Sequence, residues 1–157
     1  SNEYGNKIIN LMPTNLYGPN DNFSEKNSHV IPGLMFRMHK AKLDNQKDFK
    51  IWGSGKPLRE FMHVNDLADC IDFLINKKIE NDLINVGTGE EISIIDLAQL
   101  IKKIIKYEGK ILTNLDMPDG NPRKLLDSTL INKLGWKSKI SLKNGIKSTY
   151  EWYLNNN

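Results

Sequence analysis

The feature that most constrains this chain is the regular exchange of two hydrophobic periods. Short apolar or alternating runs are followed by longer runs with apolar residues three and four apart. Lys7 to Met12, Phe49 to Trp52, Phe61 to Val64, Leu83 to Val86 and Lys110 to Thr113 read as strands, the first of them buried. Between and after them, Ile31, Leu34, Met35 and Met38 share one helical face. So do Leu67, Cys70, Ile71, Leu74 and Ile75, and then Ile94, Leu97, Ala98, Ile101, Ile104 and Ile105. The spacing also predicts a short helix over Ser128 to Leu134 and a last one with a stripe of Leu142, Ile146, Thr149, Tyr150 and Tyr153. Strands alternating with helices predict an α/β fold with parallel pairing.

Local signals mark the ends of these segments. Ser28, Asp66 and Ser141 are expected to cap helices, and Pro32 fits a first helical turn. Ser93 and Asp96 have capping-box spacing. Gly109 and Gly135 are expected to close the helices before them. Pro13 to Asn27 reads as a long loop broken at Gly18-Pro19. No stretch reads as a linker, so residues 1–157 are expected to form one compact α/β unit.

With 157 residues the chain can bury a core. No apolar run is long enough to cross a membrane. Ser1 to Lys7 is polar and does not resemble a leader. The single cysteine, Cys70, falls on an apolar helical face, reads as core and suits a reducing cytoplasm. The net charge of +3 is too small and too scattered for a nucleic-acid partner. Only three of the 22 basic residues are arginine, namely Arg37, Arg59 and Arg123. A chain so rich in lysine keeps arginine where a planar, two-pronged donor is needed, or holds three by chance.

Several residues have chemistry to offer, each beside a plainer reading. His29 follows a polar loop at an expected helix N-terminus, where it would relay a proton or simply cap and pack. His39 falls on the polar side of the same helix and is expected in solvent; His63, in an alternating strand, is expected to be packed. Arg59 follows the glycine turn Gly53-Ser54-Gly55, a pairing of amides and guanidinium that suits a diphosphate. Glu60 would alternatively form an ion pair with Arg37 or Arg59. Trp52 offers a stacking face or a packing one. Arg123 and Lys124, after the turn at Asp119-Gly120, make a positive edge or a solvated surface. Gly87-Thr88-Gly89 is a phosphate turn or an ordinary strand exit.

The runs Met12 to Pro19, Asn27 to Pro32, Trp52 to Gly55, Arg59 to Ala68, Ile84 to Gly89, Pro118 to Asp127 and Gly145 to Leu154 resemble the C-terminal half of extended short-chain dehydrogenase/reductases. Within that family they look most like the GDP-4-keto-6-deoxy-mannose epimerase-reductases. The resemblance implies the last strands of a Rossmann sheet plus the small α/β substrate-binding domain. It implies NADP(H) as cofactor, a GDP-sugar substrate and a homodimeric parent. Pro13, Thr14, Asn15 and Leu16 would lie under the nicotinamide end of the cofactor. His29 would touch the cofactor and serve as acid in epimerisation. Arg37, Trp52, Arg59 and Asp119 would bind substrate, with Arg59 on the diphosphate and Lys124 beside it. The family's glycine-rich dinucleotide loop and its Tyr-x-x-x-Lys pair are absent from the chain. Residues 3–5 resemble the tail of the helix that carries the pair, and Tyr4 has no lysine four residues on. The chain alone is therefore expected to be inactive. A GDP-sugar 4-ketoreductase without epimerisation, or a non-catalytic half-length nucleotide-sugar-binding protein, are the alternatives.

Overall fold

The structure, a computed structural model, describes residues 8–25, 27–75 and 77–156. The expectations for residues 3–5 and for Lys7 lie outside them. In chain order the elements are β1 (Asn10–Pro13), β2 (Asn15–Tyr17), α1 (Val30–Leu43), β3 (Asp48–Trp52), β4 (Leu58–His63), α2 (Val64–Ile75) and β5 (Leu83–Val86). They continue with β6 (Glu91–Ser93), α3 (Ile94–Ile105), β7 (Lys110–Asn114), β8 (Arg123–Lys124), α4 (Thr129–Lys133) and α5 (Leu142–Asn156). The expected α/β alternation is present, and four of the five strand pairings are parallel.

β4 is the strand on which the rest is arranged. It pairs with β2 and β8 in parallel and with β6 antiparallel. Two smaller pairs, β1 with β5 and β3 with β7, are parallel in register from Asn10↔Leu83 and Asp48↔Lys110. Successive side chains of a strand point to opposite faces, and β4 uses both. Phe61 joins a core built from α1, α3 and α5, while Met62 joins a second one with Cys70, Leu74, Ile84, Val86, Ile131 and Trp136. Leu97, Ile101 and Ile105 are fully buried on the inner face of α3. Each such side chain contributes about 2 kcal/mol by leaving water.

The capping box forms as expected, with Ser93 Oγ accepting from Asp96 N–H at 3.1 Å. Ser141 also caps α5, its Oγ accepting from Asn144 N–H and its carbonyl from Gly145 N–H. Three local expectations fail. Ser28 donates backwards to the Ser24 carbonyl at 2.7 Å, and His29 takes the N-cap position of α1. Asp66 lies inside the first turn of α2, where its buried carboxylate accepts from Lys139 and Ile140 N–H, both at 3.1 Å. It ties a distant loop instead of its own helix. The left-handed residue that ends α3 is Lys106, at φ 58°, three residues before Gly109. Gly109 instead makes room for the Tyr107 ring.

The strand expected to be buried, β1, is largely exposed among the described residues, and Met12 is half-exposed. Ile9 and Leu11 pack on the second core, whereas the pleat turns Met12 outward. The loop expected over 13–27 contains β2, because Asn15 to Tyr17 finds a parallel partner in β4. Ile71 and Ile75 also face solvent, while Cys70 and Leu74 are buried in the second core and Phe73 packs against it. His39 is not solvated. Its Nδ1 lies 2.8 Å from the Tyr150 hydroxyl, and its ring meets Tyr150 and Tyr153 edge-on. His63 is buried against Tyr17 as expected.

Candidate functional site

Two cavities meet at the N-terminus of α1. The first, about 280 Å³, is walled by His29, Arg37, Trp52, Arg59 and Asp119, with Glu25 and Gly120 at its side. The second, about 480 Å³, is walled by Thr14, Asn15, Leu16, Gly18 and Phe61. His29 and Val30 belong to both walls. The sequence that puts His29 there is simple. Pro32, with its fixed φ and missing N–H, favours a helix start two residues earlier, and Ile31, Leu34, Met35 and Met38 press the helix into the core. His29 then stands at the N-cap in an extended conformation (ψ 173°), its side chain making no capping bond and remaining exposed. Its imidazole is thus unengaged by the helix it precedes.

In the first cavity the arginines are held by different means. Arg59 donates through Nη1 to the carbonyls of Leu58 and Asn121, both at 2.7 Å. Nε and Nη2 remain for an anion, and Gly120 keeps space beside Nη2. Arg37 lies over two rings, 5.3 Å from Phe49 and 5.7 Å from Trp52. Burial lowers its proton affinity, and the nearby Glu25 carboxylate counters this. Trp52 is 62 % exposed, so its indole is not core packing and leaves a ring face open on the cavity wall. Asp119 accepts from Ser54 N–H at 2.8 Å and from Ser54 Oγ–H at 2.7 Å, bonds that hold its carboxyl below the usual carboxylate range.

In the second cavity the polar side chains hold the backbone. Thr14 Oγ1–H and Asn15 Nδ2–H both donate to the Glu60 carbonyl, at 3.1 and 2.7 Å. Pro13, expected here, is in β1 and does not line the cavity. Lys124 is in register with Arg59 on β8 but does not line the first cavity. Arg123 pairs two-pronged with Glu91, at 2.7 to 3.0 Å, on the exposed edge of the sheet.

At the two glycine turns left open between phosphate binding and a plain turn, the chain's own acids take backbone amides. The amide of Ser54, in the glycine turn before Arg59, is taken by Asp119. The turn at Gly87-Thr88-Gly89 is taken by Glu60, whose Oε1 accepts from Gly89 N–H at 2.7 Å and Thr88 Oγ1–H at 3.4 Å. Glu60 forms no ion pair with Arg37 or Arg59. It is fully buried, and Oε2 accepts from Leu126 N–H at 3.2 Å. What sequence reasoning missed is this role of Glu60 as a buried acceptor for backbone amides. Its only local signal was a carboxylate set against the apolar pair Phe61-Met62. Cys70 is buried, and burial pushes its thiol up to about 11, which suits core packing rather than nucleophilic chemistry. Among the described residues no acidic, histidine or cysteine cluster is arranged for a metal, and no helix is long and apolar enough to cross a membrane.

Comparison with known proteins identifies the family. Residues 1–87 match the family model described as the NAD dependent epimerase/dehydratase family. The GDP-L-fucose synthase 1 of Arabidopsis thaliana is 49 % identical over 154 residues, covering 98 % of this chain and 48 % of that protein. A solved GDP-L-fucose synthetase from Naegleria fowleri, bound to NADP, superposes with a TM-score of 0.88 at 32 % identity over 94 % of this chain and 47 % of its own. A GDP-6-OMe-4-keto-L-xylo-heptose reductase from C. jejuni gives 0.85 at 36 % identity over 99 % of this chain and 56 % of its own. The chain spans about half the length of the curated relatives it matches.

Proposed function

The chain belongs to the NAD dependent epimerase/dehydratase family, and from that premise we propose that the protein carrying it is an NADP(H)-dependent epimerase-reductase. Its substrate in this reading is GDP-4-keto-6-deoxy-mannose or a related GDP-keto-deoxy sugar. One observation carries the reading: His29 stands on the shared wall of two cavities, one lined by Arg37, Trp52, Arg59 and Asp119 and one along the edge of β2. The whole unit, residues 1–157, supplies substrate binding and the acid.

The geometry supports the following roles. Arg59, pinned by two carbonyls, offers its remaining N–H groups to the diphosphate. Trp52 offers an exposed ring face to the nucleotide or sugar, beside the Arg37 guanidinium. Asp119 accepts from a ligand hydroxyl. The C3 and C5 protons of the sugar flank the C4 carbonyl, so loss of either gives an enolate, and reprotonation from the other face inverts that carbon. His29, exposed and free of its own helix, donates that proton.

The second cavity fits a nicotinamide end. Among the described residues β2 pairs on one side only, with β4, so backbone groups on its other edge are open to a planar carboxamide. Thr14, Asn15 and Leu16 line that edge, and Pro13 precedes it. When bound, NADPH supplies the hydride that reduces C4. This chain contains neither a glycine-rich dinucleotide loop nor a Tyr-x-x-x-Lys pair, so on its own it is expected not to turn over. NADPH consumption by the isolated chain above background would sink that expectation. A homodimeric parent, a cytoplasmic site of action and no nucleic-acid partner complete the reading.

The test is a reaction in D2O with GDP-4-keto-6-deoxy-mannose and NADPH. Epimerisation places deuterium at C3 and C5 of the product. In the parent protein His29→Asn is expected to lower that incorporation by about 100-fold or more, while GDP-mannose still binds. Deuterium incorporation unchanged in the variant removes His29 as the acid. The similarity to a keto-heptose reductase favours a second reading, reduction at C4 alone. It is supported if NADPH is consumed with no deuterium at C3 or C5. Binding of GDP-mannose with no turnover by the parent would leave a non-catalytic binding protein.

A further inference from the structure

Ser54 sits in the turn between β3 and β4, between Trp52 and Gly55 of the first cavity's wall. Nothing above gives it a role in recognition. Its bonds, however, are unusually one-sided. The backbone N–H and the side-chain hydroxyl both point to one carboxylate, Asp119, reaching Oδ1 at 2.8 Å and Oδ2 at 2.7 Å. The Ser54 oxygen meanwhile accepts from Lys56 N–H at 3.1 Å, which commits the hydroxyl hydrogen to Asp119. The turn is built to allow this approach. Gly53 adopts φ 67°, and its N–H donates to the Asn114 carbonyl at 2.9 Å. A side chain on Gly53 would run into the Asp119 carboxylate.

An exposed aspartate on a loop ordinarily samples several rotamers. Here both carboxylate oxygens are fixed from one side, which leaves their remaining lone pairs available on the other. Asp119 lines the cavity shared with Arg37, Trp52 and Arg59, so the orientation of those lone pairs decides whether a ligand hydroxyl is met. We infer that Ser54 is a positioning residue for nucleotide-sugar recognition, acting through Asp119 by presenting its carboxylate as a preset acceptor for a ligand hydroxyl. The inference rests on the nucleotide-sugar reading above. The advantage is one of preorganisation: ordering Asp119 before binding removes that cost from the binding step.

The same contacts give a second readout. The Ser54 hydroxyl and amide, in that order, hold the Asp119 carboxyl low, with a smaller contribution from Lys56. His29, Arg37, Arg59 and Glu25 are the other charged or titratable groups on this cavity, and none of them changes in a Ser54 variant. Loss of the hydroxyl moves the Asp119 carboxyl back up. Binding that needs the carboxylate then weakens at a higher pH on the acid side.

The experiment is a double-mutant cycle on the affinity of the parent protein for GDP-mannose, measured by calorimetry at several pH values. Ser54→Ala is expected to weaken binding by about three- to tenfold, the range for one hydrogen bond, and to move the acid limb of the profile upward. In an Asp119→Asn background the same substitution is expected to change affinity by less than about twofold. Ser54→Thr keeps the donor and is expected to restore wild-type binding and pH profile. Failure of the wild-type protein to bind GDP-mannose overturns the nucleotide-sugar reading itself. If the wild type binds, an unchanged Ser54→Ala affinity overturns the positioning role alone. So does an equal loss in the Asp119→Asn background, or a loss in Ser54→Thr as large as in Ser54→Ala.

Discussion

Removing the fully buried Glu60 side chain would take the acceptor from Gly89 N–H and Leu126 N–H and leave a cavity in its place. A donor left without its acceptor costs up to about 1–3 kcal/mol the more it is buried, and Glu60 serves two part-buried backbone donors and a threonine hydroxyl. Glu60→Ala is therefore expected to destabilise the fold by about 3 kcal/mol or more. Chemical denaturation would show this as a lower midpoint at constant slope; a midpoint within experimental error of wild type would contradict it. Gly87 belongs to the same arrangement, since any side chain there would meet the Glu60 and Ser128 side chains. The residue also links the two cavities without entering either. Its carbonyl fixes Thr14 and Asn15, its carboxylate fixes the turn after β5, and its neighbour Arg59 reaches the first cavity.

At the scale of elements, α5 is the helix whose seat is most exacting. Gly145 faces Tyr17 and His63, and an added methyl would collide with the buried Tyr17 ring. Two effects compete in Gly145→Ala. Helix propensity favours alanine by about 1 kcal/mol. Overpacking against a fixed core costs about 1–3 kcal/mol, and here the obstacle is a ring that is itself hydrogen-bonded to the Leu142 carbonyl. The collision wins, and the variant is expected to melt several degrees lower; a higher melting temperature would mean that α5 slides to accommodate it. The contact between α1 and α5 adds a pH dependence. His39, next to Tyr150, is held below the ordinary histidine value of 6.5, first by burial and then by Lys42. Because its folded value is the lower one, its stabilising contribution is whole above about pH 6.5. As the pH falls, the unfolded chain takes up the proton first, and the contribution is lost through the folded value. His39→Gln is expected to flatten the dependence of the denaturation midpoint between pH 7.5 and 5; an unaltered slope would assign the effect elsewhere. His63 shifts in the same direction for the same main reason, burial, and sets what slope remains.

Over the whole molecule, what could be read in advance was what is local. The inner faces of α1 and α3 were plain in the spacing of Ile31, Leu34, Leu97 and Ile101, because helical period and burial are the same signal. His29 was legible as a helix entrance from the proline three residues on. What escaped were long-range contacts between acids and backbone amides. Asp66 looks like a cap in its own segment, yet its donors lie at Lys139 and Ile140. The two glycine turns looked ready for phosphate, yet Glu60 and Asp119 occupy amides of each. Neither acid is near its turn in sequence; Asp119 lies 65 residues from Ser54. No local pattern encodes that distance.

The wall of the first cavity has one more consequence. Its two guanidinium groups, on Arg37 and Arg59, stand beside two carboxylates, on Glu25 and Asp119. At separations beyond a Debye length, about 10 Å in 0.1 M salt, such a quadruplet presents almost no net field. An incoming dianion is then neither drawn nor repelled until it is nearly in place. Capture should be governed by fit rather than by steering. Stopped-flow association of GDP-mannose with the parent protein is expected to vary by less than about threefold between 50 and 500 mM salt, where steered encounters change far more. A steep fall with salt would mean that charge beyond these four residues guides the nucleotide in.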